Sequence, residues 1–146
     1  MIFKILYLTT TLFYCEPTTY DVVEEFHKLD NKLDEMQFIN NHAKNPDPSI
    51  VAYVLSVSMK QADYEFNPYR KLKIFQTNKT KLDFIITENP RNPHLRYVRL
   101  LLQEKLPTFL GYNNHIVEDK NFLNTLMNQT DKTDYLDYYI VRNTSL

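Results

Sequence analysis

Glycine is almost absent from this chain of 146 residues, which contains only Gly111. Tight β-hairpin turns and phosphate-binding loops both depend on glycine, because their backbones need positive φ angles or a close approach to the ligand. The scarcity of glycine therefore argues against an antiparallel β protein and excludes a glycine-rich nucleotide loop. It favours helices that are joined by loops of proline, asparagine and aspartate.

The chain also has very little cysteine and a net charge close to zero. Cys15 is the single cysteine, which excludes an internal disulfide framework and a cysteine-based zinc site. The net charge is −1, so the sequence offers no general attraction to nucleic acid or to an anionic membrane. We therefore expect no nucleic-acid partner. The abundant aromatic residues are tyrosine and phenylalanine, and many tyrosines suit a helical core whose edges reach water.

Residues 1–15 form an apolar run, MIFKILYLTTTLFYC, which is followed by polar Glu16 and Pro17. A signal peptide has this order of a basic start, an apolar middle and a polar exit, and it would export the protein to the periplasm or cell envelope. The alternative is a first core helix or strand of a cytoplasmic protein, because Lys4 is the only basic residue and no small-residue cleavage site precedes Glu16. The run is too short to span a bilayer, so we expect no stable transmembrane anchor.

Residues 16–146 predict a single all-α domain of about six helices in antiparallel hairpins. Expected helices cover about 19–29, 32–45, 50–64, 68–88, 93–106 and 116–129, with a short last one after 133. The pair Asp30-Asn31 is either a break or a dent within one longer helix. Candidate N-caps, whose side chains bond the first free backbone amides, are Thr18 or Thr19, Asn67, Asn92, Asn114 and Thr133.

The spacing of apolar residues predicts which helix faces pack in the core. The run 50–59, IVAYVLSVSM, is apolar nearly all round and predicts a buried central helix. On the other helices the residues that share one face at helical spacing are Leu33, Met36, Ile39 or Asn40, and Ala43; then Tyr69, Leu72, Phe75, Leu82 and Ile85 or Ile86; and then Leu95, Val98 and Leu102, which are predicted to be core.

A family resemblance rests on motifs between residues 67 and 120. They are Asn67-Pro68, Lys71-Leu72, Phe75, Asn89-Pro90, Asn92, Leu95-Arg96-Tyr97-Val98-Arg99-Leu100, Gln103, Pro107-Thr-Phe-Leu-Gly-Tyr112 and Glu118-Asp119-Lys120. In these motifs the chain resembles uncharacterised small helical proteins of the tetratricopeptide-like type from bacteria of the Bacteroidetes group. The resemblance covers about half of the chain. It implies a helical-hairpin fold and often an exported protein, and it implies no known activity.

A polar stripe on the helix after Asn92 provides the candidate binding residues. Arg96, Arg99 and Gln103 follow one another at i, i+3 and i+7, and Tyr112 closes the next break. One interpretation is structural, with carboxylates such as Glu88, Glu104, Glu118 or Asp119 pairing with the arginines. The other is a clamp for an anion or a peptide carboxylate in a groove. The structural interpretation is the favoured one.

Metal chemistry has one weak candidate. Glu24 and His27 have the Glu-x-x-His spacing of di-iron helical bundles, but the only other candidate, His115 with Glu118, runs in reverse. We therefore predict no metal ligands, no catalytic residues and no cofactor. The histidines, which are His27, His42, His94 and His115, are expected to lie on the surface or at helix caps.

Three functions follow as hypotheses. The first is a non-enzymatic helical scaffold that binds a protein or peptide partner, and it would display an exposed concave aromatic groove. The second is a carrier of a small ligand or lipid, which would enclose a large dry cavity among its tyrosines and phenylalanines. The third and weakest is a metal-dependent enzyme, which would cluster carboxylates and histidines in its core. The oligomeric state is left open.

Overall fold

A computed structural model describes residues 17–146, and this part of the chain is all-α. The predicted fold class is therefore confirmed, while the interpretation of residues 1–15 lies outside the described residues. The helices are α1 (Thr19–His27), α2 (Lys32–His42), α3 (Pro48–Lys60), α4 (Pro68–Glu88), α5 (Pro93–Lys105), α6 (Ile116–Met127) and α7 (Asp134–Asn143). Two short 3₁₀ turns, Gln61–Tyr64 and Thr108–Leu110, follow α3 and α5. Among residues 17–146, no helix has both the length and the apolarity to cross a membrane.

Asparagine side chains begin several of these helices. The Asn67 and Asn92 side chains accept hydrogen bonds from the first backbone amides of α4 and α5, which confirms both predicted caps. Asn31 caps α2 in the same way, so Asp30-Asn31 is a break between two helices. The predicted Asn114 cap is wrong, because α6 begins after His115, whose backbone N–H donates to Gln103 Oε1 at 2.8 Å.

Gly111 is the residue that lets the chain turn from α5 towards α6. Its φ angle is +63°, in the left-handed region that side chains with a Cβ rarely adopt. A Cβ added there would meet no atom within 4 Å, so the requirement for glycine comes from the backbone conformation and not from crowding.

Helices α3 and α5 form the centre of the fold. Helix α3 contacts α1, α2, α4 and α5, and helix α5 contacts α3, α4, α6 and α7. The buried central helix predicted from the apolar run 50–59 is confirmed. Leu95, Val98 and Leu102 are also buried as predicted, and Leu95 and Val98 are completely inaccessible to solvent.

The predicted apolar face of α2 is wrong for most of its residues. Leu33 and Met36 are 64% and 46% exposed, whereas Glu35, Phe38 and His42 are buried. The helix is turned so that its largest apolar side chain, Phe38, reaches the core, and this orientation carries the neighbouring glutamate and histidine inward as well. Leu33 and Met36 are left on the surface, whereas Ile39 is partly buried and packs against the core.

The first part of α4 is a second correction. Tyr69 and Leu72 were expected in the core but are 75% and 42% exposed, whereas Phe75, Leu82 and Ile86 are buried. With 21 residues against 13, α4 is about 12 Å longer than α3, because a helix rises about 1.5 Å per residue. All of residues 68–73 are exposed, so the first turns of α4 lie outside the packed region.

We predict a large difference between two identical substitutions. Leu95→Ala removes a fully buried side chain and should lower the free energy of unfolding by about 2–5 kcal/mol. The matched control, Leu33→Ala, alters an exposed side chain and should change it by less than about 0.5 kcal/mol. Urea unfolding of the two variants measures both effects. Equal losses of stability would contradict the orientation of α2 described here.

Candidate functional site

The predicted polar stripe surrounds a buried carboxylate. Asp119, on α6, is completely inaccessible to solvent. Arg99 of α5 binds it with two parallel hydrogen bonds, from Nε to Oδ2 at 2.7 Å and from Nη2 to Oδ1 at 2.6 Å. This bidentate geometry is the strongest form of an arginine–carboxylate contact, and it fixes α6 against α5.

Two further residues of the stripe complete the shell around Asp119. Arg96 Nη1 donates to Asp119 Oδ1 at 3.1 Å and also to Glu118. Gln103 Nε2 donates to Asp119 Oδ2 at 3.0 Å, while its Oε1 accepts the backbone N–H of His115. The buried carboxylate therefore accepts four hydrogen bonds from side chains of one helix, which offsets the cost of removing its charge from water.

The pKa values of the network follow from these contacts. Burial opposes the charge on Arg99, but the hydrogen bonds and ion pair with Asp119 outweigh it and raise the pKa of the guanidinium. The pKa of Glu118 is lowered to about 2, first by its hydrogen bond with His115 and then by Arg96. Both groups are therefore charged at neutral pH.

Tyr112, the fourth predicted binding residue, makes a different contact. Its side chain is buried, and its hydroxyl donates to Asp83 Oδ1 at 2.9 Å. Burial, followed by the carboxylate of Asp83, raises the pKa of Tyr112. Lys79 Nζ lies 5.0 Å from the centre of the tyrosine ring. Tyr112 thus joins the loop after α5 to α4.

The structure supplies the carboxylate partners that were expected for the arginines, namely Glu118 and Asp119. Arg96, Arg99 and Gln103 direct side-chain donors at Asp119, which is the geometry of the structural interpretation. Their use as a clamp for an external ligand stays a prediction.

A second feature is a shallow groove between α2 and the chain that follows α3. Its volume is about 390 Å³, and it is open to solvent. Lys32 Nζ lies 5.0 Å from the centre of the Tyr64 ring and so bridges the two sides of the groove. The lining residues are Lys32, Met36, Ile39 and Asn40 from α2, with Gln61, Tyr64 and Glu65.

A buried carboxyl group lies on the inner side of α2. Glu35 is inaccessible to solvent, and its Oε2 accepts a hydrogen bond from Gln61 Nε2 at 2.7 Å. Lys60 Nζ lies 2.6 Å from Oε1, outside hydrogen-bond geometry, so this contact is an ion pair. The pKa of Lys60 is raised by its interaction with Glu35. Sequence reasoning missed Glu35, because apolar counting placed the core on the opposite face of α2.

The expected surface or capping positions of the histidines are wrong for two of them. His42 and His94 are buried, with 4% and 5% of each residue exposed, and His27 is half-buried. His42 Nε2 contacts Glu25 Oε2 at 2.7 Å, while its Nδ1 has no partner among residues 17–146. Each buried imidazole has a specific polar partner, a feature that helix periodicity does not report.

His94 connects three helices. Its Nδ1 lies 2.9 Å from the hydroxyl of Tyr53 on α3, and its Nε2 lies 3.0 Å from the hydroxyl of Tyr135 on α7. A neutral imidazole offers one donor and one acceptor, so it can satisfy both hydroxyls. Burial is the main cause that lowers the pKa of His94, to about 4, which keeps the ring neutral at pH 7.

The Glu24–His27 pair does not form the di-iron arrangement that its spacing allowed. Glu24 Oε1 binds Lys28 Nζ at 2.6 Å, while His27 Nε2 contacts the hydroxyl of Tyr97 at 2.9 Å. Across residues 17–146, the side chains of histidine, aspartate and glutamate form no group of three or more that could hold a metal ion.

Comparisons with known proteins identified no relative of this chain. The chain matches no protein-family model, and neither the curated proteins nor the solved structures contain a match. The tetratricopeptide-like resemblance therefore stays a prediction.

We predict that removing one partner of the Arg99–Asp119 ion pair destabilises the protein, because the other charge is then left buried without its counterion. Arg99→Ala leaves Asp119 buried with fewer donors and should lower the free energy of unfolding by about 3–5 kcal/mol. Arg91→Ala, at an exposed arginine, should change it by less than about 0.5 kcal/mol. The double variant Arg99→Met with Asp119→Leu should recover much of the loss. Thermal unfolding of the parent, the two single variants and the double variant measures these effects. An unchanged midpoint for Arg99→Ala would contradict the structural role.

We also predict that stability falls between pH 6.5 and pH 4. The pKa of His94 is lowered from 6.5 to about 4, so the unfolded chain binds a proton in this window that the folded chain rejects. At about 1.36 kcal/mol per pKa unit, the loss for His94 approaches about 3 kcal/mol at the acid end. Above pH 6.5 the contribution is fully present.

Urea unfolding at pH 7 and pH 5 measures this dependence. Glu118 contributes little between pH 7 and pH 5, because its pKa changes from 4.5 to about 2. His94→Gln should reduce the difference between the two pH values, and so should His27→Gln, because burial lowers the pKa of His27 to about 4 as well. An undiminished difference in His94→Gln would show that other groups cause the effect.

Proposed function

We propose that this protein is a non-enzymatic interaction module, and that it binds an amphipathic segment of a partner protein along α2. The observation that carries the proposal is the inverted polarity of this helix. Helix α2 buries Glu35 and His42 while it exposes Leu33 and Met36. A contiguous patch of exposed apolar side chains is typical of a protein interaction site, so this face is suited to binding.

The neighbouring connection extends the apolar surface. Phe66 is completely exposed, and Tyr64 and Tyr69 are 37% and 75% exposed. Together with Leu33 and Met36, these residues place several large apolar side chains in α2, in the segment that joins α3 to α4, and in the first turn of α4. Aromatic residues and methionine are enriched at protein interfaces, because they bury much area and adapt in shape.

The size and the charges of the groove indicate the kind of occupant. From Lys32 to Asn40 the groove follows α2 for about 12 Å, which matches two turns of a partner helix with apolar anchors at i, i+3 or i+4, and i+7. Lys32 and Glu65 provide one charge of each sign in the lining. A complementary segment carries an acidic and a basic residue beside its apolar anchors. The groove is open, which favours a peptide segment over an enclosed lipid.

Export and a tetratricopeptide-like arrangement complete the proposal. The order of residues 1–15 supports a signal peptide, and the motifs between residues 67 and 120 support a helical-hairpin scaffold. Expression of the full gene, followed by sequencing of the mature N-terminus, tests the first point. Loss of residues 1–15 from the mature protein supports export, and an intact Met1 on cytoplasmic material rejects it.

We predict that a charge at position 36 abolishes partner binding without unfolding the protein. Met36→Glu should keep the parent melting temperature within about 2 °C, because the side chain is exposed, while recovery of the partner from the native cells falls at least about tenfold. Val117→Glu is the matched control, since Val117 is also exposed but lies on α6. Quantitative mass spectrometry of proteins captured by the three chains measures the effect.

Direct contact is tested with a photoreactive amino acid placed at Leu33 or, as a control, at Val117. A partner that cross-links from position 33 and not from position 117, and that Met36→Glu loses, supports the proposal. A captured set that is identical for the parent, Met36→Glu and Val117→Glu would contradict it.

A further inference from the structure

A second cleft lies between α1 and α7, away from the groove along α2. Its volume is about 290 Å³, just below the range of pockets that hold drug-sized ligands. The His27 imidazole and the Tyr139 ring stack beside it, with their centres 4.4 Å apart and their planes 10° apart. Tyr138 also lines the cleft and packs edge-on against Tyr139. The lining thus includes three flat rings.

One nitrogen of His27 is available to a ligand. Nε2 contacts the Tyr97 hydroxyl at 2.9 Å, whereas Nδ1 has no hydrogen-bond partner among residues 17–146. The imidazole is neutral at pH 7, because burial, assisted by the positive charge of Lys105, lowers its pKa to about 4. A neutral ring in this position can donate or accept through Nδ1, depending on which nitrogen carries the hydrogen.

The charges that line the cleft favour an anion. Lys28 is neutralised by Glu24, whose Oε1 lies 2.6 Å from Lys28 Nζ. Arg142 has no carboxylate partner among residues 17–146. Its Nη1 donates a hydrogen bond to the Tyr138 hydroxyl at 2.6 Å, and its guanidinium carbon lies 5.7 Å from the centre of the Tyr138 ring. Its remaining N–H groups, in the planar fork that suits carboxylates, are free of protein acceptors in the described chain.

We propose that the cleft between α1 and α7 binds a small aromatic carboxylate. Arg142 holds the carboxylate through its free N–H groups, His27 Nδ1–H donates to one carboxylate oxygen, and the aromatic part packs against Tyr138 and Tyr139. The same chemistry is offered by a free aromatic acid and by an aromatic residue at the C-terminus of a peptide. This inference is independent of the proposed partner at α2.

The site also predicts which form of the imidazole binds. The Tyr97 hydroxyl has one hydrogen and two acceptors within reach, His27 Nε2 at 2.9 Å and the Tyr139 carbonyl at 3.3 Å. When the hydroxyl donates to the carbonyl, Nε2 carries the imidazole hydrogen and Nδ1 only accepts. A bound carboxylate needs the other arrangement, in which the hydroxyl donates to Nε2 and Nδ1 carries the hydrogen.

The test is a titration of the full chain, labelled with ¹⁵N in its histidines, with benzoate at pH 7. The two ¹⁵N resonances of His27 should move towards the form protonated at Nδ1. Benzyl alcohol, which has the ring without the charge, should move neither. Arg142→Gln should weaken benzoate binding at least about tenfold, the expected result of losing a charge-assisted bidentate contact. Arg91→Gln, at an exposed arginine in the turn between α4 and α5, should bind as the parent does.

The two sources of the carboxylate are separated in the same assay. N-acetylphenylalanine that binds more tightly than benzoate, while its amide does not bind, assigns the site to a peptide C-terminus. Benzoate that binds more tightly than N-acetylphenylalanine assigns the site to a free aromatic acid. Equal binding of benzoate and benzyl alcohol would overturn the proposal, as would unchanged His27 resonances or equal losses in Arg142→Gln and Arg91→Gln.

Discussion

The orientation of α2 depends on the contacts of the buried Glu35 carboxyl group. Glu35 is held by Lys60 at the end of α3 and by Gln61 in the following 3₁₀ turn. Two turns further along, His42 reaches Glu25 of α1. An unpaired polar group in the core costs several kcal/mol, so any rotation of α2 that breaks these contacts is disfavoured. The same contacts hold Leu33 and Met36 in solvent, so the proposed interaction surface would be a consequence of core packing.

Other outer helices are attached to the centre of the fold in a similar way. Asp119 joins α6 to α5 through Arg99, and Tyr135 joins α7 to α3 and α5 through His94. Buried polar groups of this kind contribute less net stability than apolar side chains of equal volume, but they permit few alternative registers. These buried polar contacts therefore fix how each outer helix is rotated about its axis. Apolar contacts alone would leave that rotation less defined.

Much of the fold could be predicted from the sequence, because it depends on local signals. The asparagine caps at residues 67 and 92, the central helix 50–59 and the core stripe that begins at Leu95 all follow from capping chemistry and spacing. The pairing of Arg99 with Asp119 could be anticipated as well, since a partly buried arginine needs an acceptor on the next helix. The rotation of α2 could not be anticipated, because it is decided by Phe38 and by contacts with residues that are distant in sequence, while counting apolar positions favours the opposite face. The α1–α7 cleft could not be anticipated either, because the Glu-x-x-His spacing of Glu24 and His27 indicates only a metal motif and does not report that α7 packs beside α1.

The central claim is that α2 presents its apolar stripe to solvent while Glu35 and His42 are buried, and methionine oxidation tests it most directly. Met36 is 46% exposed, whereas Met59 on α3 is 4% exposed. Brief treatment of the folded protein with dilute hydrogen peroxide, followed by peptide mass spectrometry, compares the oxidation rates of these two thioethers in one sample. The account predicts rapid oxidation of Met36 in a protein that stays folded, with Met59 protected. Protection of Met36 to the same degree as Met59 would contradict the orientation of α2 and remove the basis of the proposed interaction surface.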